Sequence, residues 1–259
     1  MAAKQRILVK LGGTLLDDPA SRARIAAELT AASRNVEMTV VHGGGKQMTR
    51  FLAERGVESK FVDGLRVTTP DVVDALLKVF AGSVNHELVA SFVAAGALPV
   101  GLTGIDALLV EAEQLKPELG AVGKPVRSNG AVLDTLVAGG FLPVVACVAG
   151  DARGNVYNVN ADQMAVACAG GFHAERLIFM TDVDGVLDGD KKLLPLLTRA
   201  DCARLIETGV ATGGMQAKLN SAVDALNLGI KEVCIAPGAR PGLLADLLSG
   251  AAIGTRLVA

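Results

Sequence analysis

An α/β fold with a mainly parallel central sheet is what the sequence predicts, on three observations. Short β-branched runs alternate with helix-length stretches along almost all of the 259 residues, the pattern of successive βαβ units. Two of those runs, Ile7-Leu8-Val9-Lys10-Leu11 and Thr39-Val40-Val41-His42, empty directly into glycines, at Gly12-Gly13 and at Gly43-Gly44-Gly45-Lys46. Hydrophobic residues make up 51 % of the chain, enough for a large core, whereas aromatics are 3 % and Trp is absent, so aliphatic side chains must fill it. The length suits one compact domain or two closely joined lobes.

Taken in order, strands are expected over 6–11, 36–41, 97–102, 142–147, 176–181 and 232–236, each a short apolar run bounded by turn residues. Helices are expected near 19–34, 45–56, 70–95, 129–139, 161–171, 200–208 and 214–228. The 70–95 helix opens with Thr69-Pro70-Asp71, a capping residue followed by proline in the first turn. Residues 61–68 and 107–127 break the alternation and read as hairpins projecting from the sheet. A new strand cluster begins after residue 173, which divides the chain into an expected N-terminal lobe, 1–173, and C-terminal lobe, 174–259.

Charge and composition exclude several classes of function. Lys plus Arg (25) nearly balances Asp plus Glu (27), and no long basic run is present, which gives little support to nucleic-acid binding. The first residues lack the apolar region of a signal peptide, and no apolar stretch approaches the roughly 18 residues that span a bilayer, so a cytoplasmic location is expected. Cys147, Cys168, Cys202 and Cys234 lack metal or redox spacing and read as buried free thiols. His42, His86 and His173 show no metal-ligand spacing either, so no protein-held metal is expected. P-loop, dinucleotide-binding and nucleophile-elbow motifs are all absent.

Six small clusters remain, each with a bland reading beside a chemical one. Lys10 with Gly12-Gly13 could set a cation beside bare amides, or be a solvated lysine at a strand end. Bare amides at a strand end, with a helix beginning just beyond, bind anions well. Three consecutive glycines after His42 lose much backbone entropy on ordering, and a plain turn needs only one or two, which favours an anion or substrate site. Arg66, in Asp63-Gly64-Leu65-Arg66-Val67-Thr68, could grip a carboxylate through two parallel hydrogen bonds, or be a surface arginine.

Tyr157-Asn158-Val159-Asn160-Ala161-Asp162 alternates two asparagines along an extended segment before a helix. Their donors and acceptors suit an amide-bearing ligand, and capping by Asn160 or Asp162 is the bland alternative. Thr181-Asp182-Val183-Asp184-Gly185-Val186-Leu187 follows a strand, where α/β folds place ligands, though a plain loop would look similar. Thr212-Gly213-Gly214-Met215-Gln216-Ala217-Lys218 puts a lysine in the first turn of the expected helix. Cations are disfavoured there unless an anion is near, and a bound phosphate would explain it.

In this order and spacing, His42-Gly-Gly-Gly45, Phe61-Val-Asp-Gly-Leu-Arg-Val67, Tyr157-Asn-Val-Asn-Ala-Asp162 and Gly213-Gly-Met-Gln-Ala-Lys218 resemble the amino acid kinase family over essentially the whole chain. The resemblance implies an open αβα sandwich whose N-terminal lobe binds an acyl-amino acid and forms a dimer interface, while its C-terminal lobe binds ATP with Mg²⁺. It implies transfer of a phosphoryl group to the γ-carboxylate of N-acetyl-L-glutamate, with Lys10 and Lys218 stabilising that group and Asp162 orienting both. Gly44, Gly45, Arg66, Asn158 and Asn160 would hold the amino acid. Gly12, Gly13, Asp182, Val183, Gly185, Val186, Leu187, Val210 and Thr212 would hold the nucleotide. Related carboxylate kinases, acting on acetylaminoadipate or on a carrier-linked amino acid, and a non-catalytic sensor on the same fold are the alternatives. Thr103-Gly104-Ile105-Asp106-Ala107 departs from the more polar, glycine-richer stretch that relatives often carry. About six residues precede the first strand, whereas arginine-inhibited members carry an additional N-terminal helix, so a homodimer insensitive to arginine is expected.

Overall fold

The computed structural model of the chain describes residues 4–259. Its first half runs β1 (Arg6–Leu11), α1 (Pro19–Ser33), β2 (Glu37–His42), α2 (Gly45–Ala53), the hairpin β3 (Phe61–Val62) and β4 (Leu65–Arg66), α3 (Pro70–Leu76), α4 (Asn85–Ala94) and β5 (Pro99–Thr103). Next come β6 (Val110–Gln114), β7 (Val122–Ser128), α5 (Ala131–Ala138), β8 (Leu142–Ala146), β9 (Val148–Gly150), β10 (Val156–Val159) and α6 (Ala161–Gly171). The remainder holds β11 (Arg176–Thr181), β12 (Leu196–Leu197), α7 (Arg199–Glu207), α8 (Gly213–Asn227), β13 (Glu232–Pro237), α9 (Leu243–Leu248) and β14 (Thr255–Leu257).

Eight strands form one sheet in the order β12-β14-β13-β11-β1-β2-β8-β5. It is parallel throughout except where β14 runs antiparallel to β13. A parallel sheet must be covered on both faces, and its strands are accordingly apolar without alternation. In β1 every residue from Ile7 to Leu11 is buried, Lys10 included. Helices α1, α4 and α9 pack together on one side, and α5, α6 and α8 cover the other, with α6 lying against β1 and α8.

Strand β1 sits between β2 and β11, so the chain leaves it in opposite directions at the centre of the sheet. Crevices at the carboxyl ends of such strands are where α/β folds hold ligands. The glycines after β1 and β2 and the Asp182 loop after β11 all meet there.

Strands β6, β7, β9 and β10 close into a small separate barrel. The β3–β4 hairpin is tied to it through Thr68, whose N–H donates to Leu119 and whose carbonyl accepts from Ala121. This attachment carries Arg66 and Asn158 toward the same end of the sheet.

The helix expected over 70–95 runs unbroken from α3 to α4, but its middle, Leu77–Val84, is π-helical. The two lobes share a sheet, with β11 paired along β1 from Ile7 to Leu11. All four cysteines are buried and unpaired. Burial pushes the Cys147, Cys168 and Cys234 thiols up to about 12, which leaves them inert core groups. No described helix is long and apolar enough to cross a membrane.

Candidate active site

Two ammonium groups converge on one carboxylate. Lys10, on β1, brings Nζ to 2.7 Å from Asp162 Oδ1. Lys218, on α8, brings Nζ to 3.0 Å from Asp162 Oδ2 and donates a hydrogen bond to it. The Lys10 contact is a close ion pair outside hydrogen-bond alignment, since Oδ1 has no hydrogen-bond partner. Asp162 stands in the first turn of α6, where the helix favours a negative charge. Burial alone would raise its pKa, yet Lys10 and then Lys218 outweigh that and hold the carboxyl below the usual range. The buried carboxylate thus stands between two ammonium groups with little water around them.

Lys218 occupies the sixth position of α8, in its second turn. The expected conflict with the helix start therefore does not arise, and Asp162, not a phosphate, is the anion beside it.

The glycine turns are positioned by the strands that feed them. Gly12 packs where a Cβ would meet the Met180 carbonyl at 3.2 Å, and its N–H donates to that carbonyl. Its amide is spent on the sheet, which removes Gly12 as a phosphate donor. Gly13 lines a cavity of about 600 Å³ together with Gly45, Lys46, Thr49, Phe61 and Arg66. Gly13, Gly44 and Gly45 all stand at helix starts, where backbone N–H groups lack intrahelical acceptors.

Arg66 is buried, against the surface alternative, and its guanidinium is partly committed. It donates to Ser59 Oγ, to the Gly45 carbonyl at 3.1 Å and to Thr49 Oγ1 at 2.8 Å, beneath the Phe61 ring. Arg66 therefore braces the first turn of α2 as well as lining the cavity. Asn158 donates to Thr68 Oγ1 at 3.0 Å. The Asn160 side-chain oxygen caps α6 by accepting from the Asp162 and Gln163 amides, which leaves only its amide nitrogen uncommitted.

A second cavity, about 740 Å³, opens at the carboxyl end of β11. Asp182, Val183, Gly185, Leu187 and Val210 line it as expected, joined by Asp188, Lys191 and Met215. Besides Gly12 and Gly13, two further residues assigned to the nucleotide do not line it. Val186 is fully buried, its N–H held by Thr255 Oγ1, because that loop must anchor to β14. Thr212 is the residue preceding α8, and its carbonyl accepts from Met215 and Gln216 without its side chain reaching the cavity wall. Thr49, Ser59 and Lys191 are not legible in the sequence because a lone hydroxyl on a helix or in a loop, or a single loop lysine, carries no spacing signal.

A third cavity, of about 610 Å³, lies between α6, α8 and β7. It contains neither lysine of the triad.

The crevice at the end of the central strand thus gathers paired glycine turns and two lysines held by one buried aspartate, cationic groups of the kind that phosphoryl transfer draws on. The chain belongs to the amino acid kinase family, whose sequence pattern matches residues 5–237. Its relatives include the acetylglutamate kinase of Solibacter usitatus (strain Ellin6076), 63 % identical over 98 % of this chain and 99 % of that protein. The acetylglutamate kinase of Actinobacillus succinogenes is 41 % identical over 97 % and 98 %. Among solved structures, the N-acetylglutamate synthase of Neisseria gonorrhoeae superposes with a TM-score of 0.88 at 24 % identity, covering 99 % of this chain and 60 % of that longer one. Giardia carbamate kinase superposes with a TM-score of 0.75 at 15 % identity, covering 100 % and 99 %. These two likenesses concern the fold alone.

Proposed function

We propose that the chain transfers the γ-phosphoryl group of ATP to the γ-carboxylate of N-acetyl-L-glutamate, giving N-acetylglutamyl 5-phosphate and ADP. The observation that carries this reading is the single buried carboxylate of Asp162 bracketed by Lys10 and Lys218. The name of the relative 63 % identical over nearly the whole chain supports the choice of acceptor.

The chemistry suits these residues. A γ-carboxylate has a pKa near 4.3 and is already ionised at neutral pH, so no general base is required. One of its oxygens forms the new bond to the γ-phosphorus as the bond to the bridging oxygen of ADP breaks, and no proton moves. The obstacle is electrostatic, an anion approaching an anion, and such transfers are catalysed chiefly by positioning and charge neutralisation. Lys10 and Lys218 supply that positive charge from the two sides of the site. Asp162 holds the two together.

In this reading the residues up to 173 hold the acyl-amino acid through Gly44, Gly45, Arg66 and Asn158. Residues 174–259 hold ATP in the cavity walled by Asp182, Leu187 and Val210. Among the described residues no group of three His, Cys, Asp or Glu could hold a metal ion. In this reading Mg²⁺ accompanies ATP, bound to its phosphates, as is usual with triphosphates. A homodimer built on the 70–94 helical run and the edge strand β5 accords with exposed Leu77, Val93 and Leu98.

The test is hydroxylamine trapping of the acyl phosphate with ATP and Mg²⁺ over a substrate panel. Hydroxamate from N-acetyl-L-glutamate, exceeding that from glutamate, aspartate or acetylaminoadipate, is expected. Preference for another acceptor would reassign the substrate, and ATP binding without any hydroxamate would indicate a sensor.

A further inference from the structure

A buried polar chain lies directly beneath the glycine turn and belongs to none of the groups assigned so far. His42, the last residue of β2, is fully buried, and its Nδ1 lies 2.8 Å from the Gly43 carbonyl. Its Nε2 lies 2.9 Å from the Asn85 amide nitrogen, which also donates to the Val144 carbonyl at 3.0 Å. Carbonyls at both ends settle the proton. The Val144 carbonyl requires the amide nitrogen of Asn85 to face it, so Nε2 of His42 accepts and Nδ1–H donates to Gly43. Burial pushes the His42 pKa down to about 4, so that Nε2 stays unprotonated at neutral pH and keeps accepting from Asn85.

Asn85 begins α4, immediately after the π-helical stretch Leu77–Val84. π-Helical turns recur at functional sites because they re-aim the side chains that follow. Here the stretch also sets Phe80 against Gly44, where a Cβ would come within 2.8 Å of the ring. Gly101 on β5 leaves the space that the Asn85 side-chain oxygen occupies. Both neighbours of the turn, one polar and one aromatic, thus come from a single irregular helix segment.

We propose that His42 and Asn85 are positioning residues for the phosphoryl acceptor. The Asn85–His42–Gly43 chain orients the Gly43-Gly44-Gly45 backbone, so that the amides of Gly44 and Gly45 face the acceptor's carboxylate. The proposal rests on the reading that this turn holds the acceptor.

Two isosteric variants separate positioning from mere burial. The side-chain amide of His42→Asn overlays Nδ1 and retains the donor to Gly43, whereas that of His42→Gln overlays Nε2 and retains only the Asn85 link. Each variant is assayed for thermal unfolding, for KM toward N-acetyl-L-glutamate and ATP, and for amide hydrogen exchange in the segment 43–47. His42→Gln is expected to raise the acceptor KM by about tenfold, the loss of one good hydrogen bond, and to speed exchange at 43–47. His42→Asn, which keeps the Gly43 donor but loses the Asn85 link, is expected to raise the acceptor KM and speed that exchange clearly less than His42→Gln does, and neither variant to shift the ATP KM by more than about twofold. Should the His42 variants fail to fold, Gly101→Ala, remote from the turn, displaces Asn85 while keeping the His42 donor to Gly43, and should reproduce the smaller His42→Asn effects. Equal changes in both KM values, or exchange at 43–47 that follows the melting temperature alone in all variants, would overturn the proposal. If the wild-type protein does not phosphorylate N-acetyl-L-glutamate, the functional reading fails, and the exchange contrast still decides whether His42 orders the turn.

Discussion

The acceptor side and the nucleotide side of the site are built by opposite means. Around Gly43–Gly45 the polar groups are already paired within the protein, several of them through a buried partner: His42 with Asn85, Arg66 with Thr49 and the Gly45 carbonyl, Asn158 with Thr68. Around 182–191 the wall is an exposed loop held by its own turns, in which the Asp188 carboxylate accepts the Asp190 and Lys192 amides. The first side is preorganised, and its geometry is the product of many long-range contacts. The second leaves open surface and backbone to a larger ligand. Between them lies the triad, where a charge from each side is tied to Asp162. The lesson is that damage should scale with how many internal partners a residue already has.

The largest effects belong to the triad. Lys10→Ala and Lys218→Ala should each lower kcat by about a hundredfold or more, as expected for a donor to transition-state charge. Asp162→Asn should lower kcat comparably and also destabilise the fold by on the order of 3 kcal/mol, since two ammonium groups would lose their shared counter-ion. Steady-state kinetics with chemical denaturation read both.

Next comes the acceptor side. Arg66→Ala should raise KM for N-acetyl-L-glutamate by about ten- to a hundredfold, the worth of a charged hydrogen bond, with a lower melting temperature because Thr49 and Gly45 lose their brace. An unchanged acceptor KM would reduce Arg66 to a structural strut and weaken the contrast between the two sides.

A pH series sharpens the same contrast. His42 is held near 4 in the folded protein by burial, against a normal 6.5, despite the opposing pull of the Gly43 carbonyl. The unfolded chain therefore binds a proton that the folded chain refuses. Stability is full above about pH 6.5 and should fall by up to about 3 kcal/mol as pH drops toward 4. His42→Asn should flatten that window. The depressed Asp162 acts only below its ordinary carboxylate range, so the two windows separate. The smallest effect is expected on the nucleotide side, where Leu187→Ala, on a half-open wall, should raise the ATP KM by less than about tenfold, the range for lost apolar contact.

What was legible in the sequence follows the same division. Glycines and lysines at strand ends announced themselves because an apolar run must stop there, and Lys10, Asp162 and Lys218 do meet. The edge strand β12 and its neighbour β14, only two and three residues long, lack a run long enough to read, as does the short helix α9. The role of Gly12 was misjudged because the acceptor of its amide, Met180, lies far along the chain. Val186 looks like its loop neighbours, and only the Thr255 contact marks it as an anchor. The π-helical middle of the 70–94 run has the same apolar periodicity as an ordinary helix over so few residues.

The most direct test of the central claim compares wild type with Lys218→Ala for kcat at saturating N-acetyl-L-glutamate and ATP, alongside ATP affinity by calorimetry. A fall in kcat of about a hundredfold or more, with ATP binding changed by less than about tenfold, is the predicted result. Turnover near wild type, or loss of ATP binding large enough to explain the whole decline, would contradict it.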